Sequence, residues 1–196
     1  MAAQPRIVVK KLKTPSMKLI MLTLMLIVGM VSAGQVTKVS LQASGLTCSM
    51  CSKAVKSALE EVSFVEKVQV DIKNQKYNLT FKEGANVEID DLAKAVEDAG
   101  FSVASLVVTA TVNNITLEKD NHLKIGNSYF HFLNASGQQI NGTTNFNIVD
   151  KKFVSEKEFK KYSGLTKMKC VETGKAEPCC LSDELAKETR IYHAIL

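Results

Sequence analysis

Between Val39 and Ala110 the apolar residues follow a fixed succession of two-residue and 3.6-residue periods, and that succession leaves few folds open. Val39, Leu41 and Ala43 alternate with Ser40, Gln42 and Ser44, the pattern of a strand with one buried face, until Gly45 breaks it. From Cys51 the apolar positions become Cys51, Ala54, Val55, Ala58, Leu59 and Val62, an amphipathic helical stripe, with Lys53, Lys56, Glu60 and Glu61 on the wet side. Val68, Val70 and Ile72 restore the two-residue period. After Asn74-Gln75 it resumes at Tyr77, Leu79 and Phe81, which predicts a hairpin. Ile89, Leu92, Ala93, Val96 and Ala99 form a second helical stripe. Asp90 and Asp91 sit in its first turn, where they complement the helix dipole, and Gly100 stands where the helix must stop. A last strand is expected from Phe101 to about Ala110. The compact solution for the order βαββαβ is an antiparallel sheet with both helices packed on one face, an α+β fold.

The segment Gly45-Leu46-Thr47-Cys48-Ser49-Met50-Cys51 falls between the first strand and the first helix, so both sulfurs are expected at one exposed edge. The partial positive charge of a helix N-terminus favours the thiolate of a cysteine in the first turn, and the thiolate is the metal ligand. Soft thiolates select soft ions such as Cu(I), whereas a structural zinc site wants four ligands. No other Cys or His lies between Gly34 and Val112. The same pair also suits a disulfide or the redox couple of a thiol-disulfide oxidoreductase. Against the latter, a hairpin follows the first helix at once, where a thioredoxin-like chain continues into a larger alternating sheet. Met50, between the cysteines, is read as exposed packing.

These residues resemble the heavy-metal-associated domain family of copper chaperones, the N-terminal modules of copper-transporting P-type ATPases and the periplasmic mercury-binding protein. The family motif is Gly-Met-x-Cys-x-x-Cys. Gly45, Thr47, Cys48 and Cys51 fit it, and Leu46 replaces the usual Met at nearly equal volume. The resemblance implies a ferredoxin-like βαββαβ domain over residues 34–112, with Cys48 and Cys51 as the metal ligands. It implies a non-enzymatic metallochaperone or scavenger carrying Cu(I), with Hg(II) or Zn(II) as alternatives. The implied partner is a metal-transporting membrane protein or another metal carrier. Thr47 resembles the copper-handling branch, since the zinc and cadmium branch tends to an acidic residue there. Phe101 matches the place where the family brings an aromatic or a lysine beside the metal loop, and equally suits a plain core position.

Residues 1–33 read as a signal peptide with a possible upstream extension: Lys18 precedes an apolar run of thirteen residues, Leu19 to Val31, followed by Ser32-Ala33. The run is shorter than the roughly 18 residues needed to span a bilayer. The mature chain is expected to begin near Gly34 in a periplasmic or secreted setting, with a membrane anchor through residues 19–31 as the alternative. The formal charge of +5 comes from Arg6, Lys10, Lys11, Lys13 and Lys18, because 20 basic and 20 acidic residues balance from Gly34 onward. A balanced mature chain gives no electrostatic case for nucleic acid.

Residues 113–196 read as a smaller, mainly β second module with short helices. Asn113 to Asn121 is expected to be a connector. Strands are expected at His122 to Phe132 and Thr144 to Val149, and a capping box at Ser155–Glu158 opens a helix to about Tyr162. Another helix is expected from Ser182 to about Thr189. Tyr129, Phe130, Phe132, Phe146, Phe153, Phe159 and Tyr162 suffice for a core. Cys170 is expected either to bridge Cys179 or Cys180, or to join them in a second soft-metal site with Met168 or His193. His122 and His131 are expected on the strand surface. The sequence carries no Ser-His-Asp set and no phosphate-binding glycine loop, so no catalytic residue is assigned.

Overall fold

The computed structural model describes residues 34–183 and 185–196; the expected leader, residues 1–33, lies outside them. The first half follows the predicted order. Strand β1 (Gly34–Ser44) leads to helix α1 (Ser49–Glu60), hairpin β2 (Val65–Asp71) and β3 (Lys76–Phe81), helix α2 (Ile89–Asp98) and strand β4 (Ser102–Leu117). Strand β1 lies between β3 and β4, antiparallel to both, with Leu41 opposite Tyr77 and Leu106. Val55 and Leu59 of α1 and Ile89, Leu92, Ala93 and Val96 of α2 are buried in one core with Val39, Leu41, Tyr77, Leu79, Leu106 and Val108. Each fully buried aliphatic side chain of this kind contributes roughly 1.5–3 kcal/mol.

The second half extends the same sheet. After β4 come β5 (His122–Ile125), β6 (Ser128–Phe132), β7 (Gln138–Ile148), helices α3 (Glu156–Ser163) and α4 (Cys170–Thr173), a 3-10 helix (Pro178–Asp183) and β8 (Ile191–Ile195). The eight strands are ordered β2-β3-β1-β4-β7-β8-β6-β5. Among the described residues only the β6–β8 pairing is parallel.

The expected connector Asn113–Asn121 is a correction, because it is strand as far as Leu117. The pairing of β4 with β7 shifts register between Val112 and Ile115, and Asn114 has φ 46°. Such a bulge interrupts the two-residue period that marks a strand. The reading of His122 to Phe132 as one strand is also corrected: it is a hairpin, turning at Gly126. Helix α3 starts at the expected capping box, with the Ser155 hydroxyl accepting the Glu158 N–H and the Glu158 carboxylate accepting the Ser155 N–H. The helix expected from Ser182 to Thr189 does not form over residues 185–189; the 3-10 helix precedes it.

Arg190 fastens the C-terminal segment to the first half. Its guanidinium donates to both carboxylate oxygens of Asp90 in α2, at 2.7 and 3.1 Å, and to Asp150 at 3.2 Å.

Candidate metal-binding loop and a buried histidine-cysteine cluster

The chain leaves β1 through Gly45, whose φ of +82° is strained for any residue with a side chain. A Cβ there would sit 3.9 Å from Phe101 Cδ1, so the aromatic ring does lie beside the loop, while also packing against the core. Leu46 likewise packs against the core, while Thr47, Cys48, Ser49 and Met50 face solvent. Cys48 is the N-cap of α1 in extended conformation, and its Sγ accepts the Cys51 backbone N–H at 3.4 Å. The two sulfurs are 2.8 Å apart, beyond the 2.03–2.05 Å of a disulfide, and both residues are free thiols. A hydrogen bond from the Cys48 thiol, supported by backbone and side-chain hydrogen bonds from Thr47, holds the Cys51 thiol below the ordinary cysteine range.

The first turn of α1 is anchored from beneath. The buried Tyr77 hydroxyl on β3 donates to Ser52 Oγ at 3.0 Å. A shallow depression of about 270 Å³ beside the loop is lined by Leu46, Thr47, Cys48, Ser52, Val70 and Ile72. Ile72 is 84% exposed and Met50 69% exposed, so apolar side chains rim the cysteines. Metal–sulfur bonds of about 2.3 Å place two sulfurs roughly 3.7 Å apart in tetrahedral and 4.6 Å apart in linear geometry.

Residues 40–102 match the heavy-metal-associated domain. The copper chaperone CopZ of Bacillus subtilis is 35% identical over 65 residues, which cover 33% of this chain and 93% of the relative. The chain belongs to the heavy-metal-associated domain family. The mercuric transport protein periplasmic component of Serratia marcescens is 40% identical over 63 residues, covering 32% of this chain and 68% of the relative. A copper-transporting ATPase of Helicobacter pylori is 34% identical over 65 residues, covering 33% of this chain but only 9% of the relative. This chain therefore spans about a tenth of the ATPases it matches.

Beyond the heavy-metal-associated domain the structure assembles a second group of donors. His122 and His131 are buried, at 8% and 0% exposure, which corrects the expectation that they lie on a strand surface. His131 pairs with His122 on β5 and with His193 on β8, so three imidazoles stand side by side on one face of the sheet. The alternate residues Phe130 and Tyr192 belong to the core on the other face. On the histidine face, α4 places Cys170 Sγ 3.8 Å from His122 Nε2, 3.8 Å from His131 Nδ1 and 3.5 Å from His193 Nε2. Cys180, also buried, comes within 4.8 Å of both a His122 ring nitrogen and Cys170 Sγ.

The expected bridge from Cys170 to Cys179 or Cys180 is not formed; all three are free thiols, and Cys179 is exposed. Of the expected companions, His193 faces Cys170, while Met168 packs half-buried against the apolar residues around Cys170 and Cys180. Burial, reinforced by His193 and His122, lowers the pKa of His131 to about 4 and keeps it neutral. Burial and the neighbouring Cys180 raise the Cys170 thiol well above the ordinary range. Sequence reasoning left His122 and His131 without roles, although these and His193 are the chain's 3 histidines and share its second half with three cysteines.

Proposed function

We propose that the protein is an exported carrier of a soft metal ion, Cu(I) in the first place, held between Cys48 and Cys51 and passed on by thiolate exchange. The observation that carries this reading is the pair of free, solvent-reachable thiols 2.8 Å apart where α1 begins. Two soft sulfurs suit Cu(I), and a carboxylate that would favour a harder ion is missing from the loop Gly45–Cys51. Hg(II), the other soft candidate, and Zn(II) would use the same sulfurs. Relatives named for copper chaperoning, copper transport and mercuric transport point the same way.

Transfer begins when a thiolate of the receiving protein attacks the bound ion from the open side of the loop. A three-coordinate ion then links the two proteins; one cysteine lets go and takes up the proton that the incoming thiol gave up, and when a second incoming thiolate binds, the other cysteine lets go and is protonated in the same way. Exposed Met50 and Ile72 offer the receiving protein an apolar rim. The fitting partner is another carrier or the metal-binding module of a membrane transporter. The leader, residues 1–33, would deliver the chain to a periplasmic or secreted location, and intact mass of the purified native protein should place its first residue near Gly34.

The transfer step is tested by loading the reduced protein with one equivalent of Cu(I) and mixing it anaerobically with a small dithiol. Release within seconds is expected. Release that needs denaturant would show the ion is locked in and sink the carrier reading. Catalytic turnover of a model disulfide without metal would favour a thiol-disulfide oxidoreductase instead.

A further inference from the structure

The five buried donors on the far face of the sheet are costly as a plain core. Imidazoles and thiols removed from water lose hydration that apolar neighbours do not replace, and buried polar atoms are as a rule paired. His131 has Asp120 Oδ1 3.5 Å from its Nε2, so the ring turns its other nitrogen, Nδ1, toward Cys170 at 3.8 Å. The cluster is also built from separate pieces of chain: β5, β6, β8, α4 and the 3-10 helix each contribute one donor. Convergence of that kind is what a closed ion site requires.

The spacing fits an ion at the centre. For metal–nitrogen bonds of about 2.0–2.1 Å and metal–sulfur bonds of about 2.3 Å, a tetrahedron has nitrogen–sulfur edges of about 3.5–3.6 Å. Cys170 Sγ lies 3.5 Å from His193 Nε2 and 3.8 Å from both His131 Nδ1 and His122 Nε2. His131, Cys170 and His193 form one set of ligand atoms mutually within 4.8 Å; His122, Cys170 and Cys180 form another, so Cys170 is common to both.

The surroundings also orient the donors. His193 Nδ1 lies 2.7 Å from Asp150 Oδ1, which places the proton on Nδ1 and turns the Nε2 lone pair toward Cys170. Asp150 is itself held by Arg190 and by the His193 backbone N–H at 3.3 Å. A carboxylate behind a histidine ligand fixes its tautomer and raises its basicity, and this arrangement accompanies most histidine metal sites.

We propose that this cluster closes around one resident Zn(II) ion, held by Cys170 and Cys180 together with two of the three imidazoles His122, His131 and His193. Two thiolates neutralise the divalent charge, which suits a site sealed from water. Their protons pass to solvent as the ion enters, so binding strengthens with pH. The site would pin α4, through Cys170, and the start of the 3-10 helix, through Cys180, to β5, β6 and β8. It differs from the exposed pair in having four ligands and no open side, so its ion belongs to the fold and is not cargo.

The test uses the full mature chain carrying Cys48→Ser and Cys51→Ser, which removes the exposed pair. Purified under reducing conditions from zinc-replete cells, it should retain about one zinc per chain by elemental analysis. Replacement by Co(II) should give tetrahedral ligand-field bands with thiolate charge transfer. Asp150→Asn, which touches no ligand bond, should weaken zinc affinity about 10- to 100-fold. A folded double-serine protein that takes up neither zinc nor cobalt overturns the proposal. So does an intact mass two hydrogens below the reduced value, which would mark a Cys170–Cys180 disulfide in place of the ion.

Discussion

The Tyr77 hydroxyl, one strand in from the β2 edge of the sheet, donates to Ser52 Oγ at 3.0 Å, tying β3 to the helical turn that carries Cys51. Tyr77 is fully buried, so its phenol has no water to fall back on. Tyr77→Phe should cost about 0.5–1.5 kcal/mol of stability. Urea unfolding of the metal-free protein checks it; an unchanged midpoint would mean the bond contributes nothing.

The Cys51 thiol is held below the ordinary cysteine range chiefly by the Cys48 thiol. A lowered pKa means the thiolate persists to lower pH. The rate of Cys51 alkylation by iodoacetamide should therefore reach half its maximum at lower pH than for a free peptide cysteine. Cys48→Ala should move that midpoint upward. A midpoint at or above the peptide value in the parent protein would remove the electrostatic part of the argument.

Arg190 neutralises two carboxylates, and Asp150 is only 8% exposed on its side chain. Arg190→Ala leaves Asp150 buried beside His193 with its cation gone, and should destabilise the protein by about 3 kcal/mol. Arg190→Lys keeps the charge but loses the two-pronged contact with Asp90, and should fall between the two. Thermal or denaturant unfolding of the three proteins should give the order parent, Lys, Ala. Equal stability of the Ala variant and the parent would contradict the role assigned to this contact.

The first half of the fold was legible because its burial is one-sided. Val39, Leu41, Tyr77 and Leu79 alternate with exposed or half-exposed residues, and both helices bury against the same sheet, α1 through Val55 and Leu59 of its stripe although Ala54 stays exposed. The motif Gly45–Cys51 was legible for the same reason, since it interrupts two clear periods at a predictable turn. Further along, periodicity fails. Phe130 and Phe132 are buried in the main core, while His131 beneath Cys170 and Leu133 against Phe159 and Val171 are buried on the other face, and a local pattern does not register a cover supplied from far along the chain. The bulge at Asn113–Asn114 hid the continuation of β4 in the same way. The pairing of His122, His131 and His193 across three strands depends on a parallel β6–β8 register that joins distant segments.

The central claim is that Cys48 and Cys51 together hold the transferable ion. It is tested most directly by anaerobic competition titration of the reduced full chain with Cu(I) against a chromogenic Cu(I) chelator, beside the Cys48→Ser/Cys51→Ser variant. The account predicts that the parent withdraws one equivalent of Cu(I) from the chelator that the variant leaves behind. Equal withdrawal by the two proteins would contradict it.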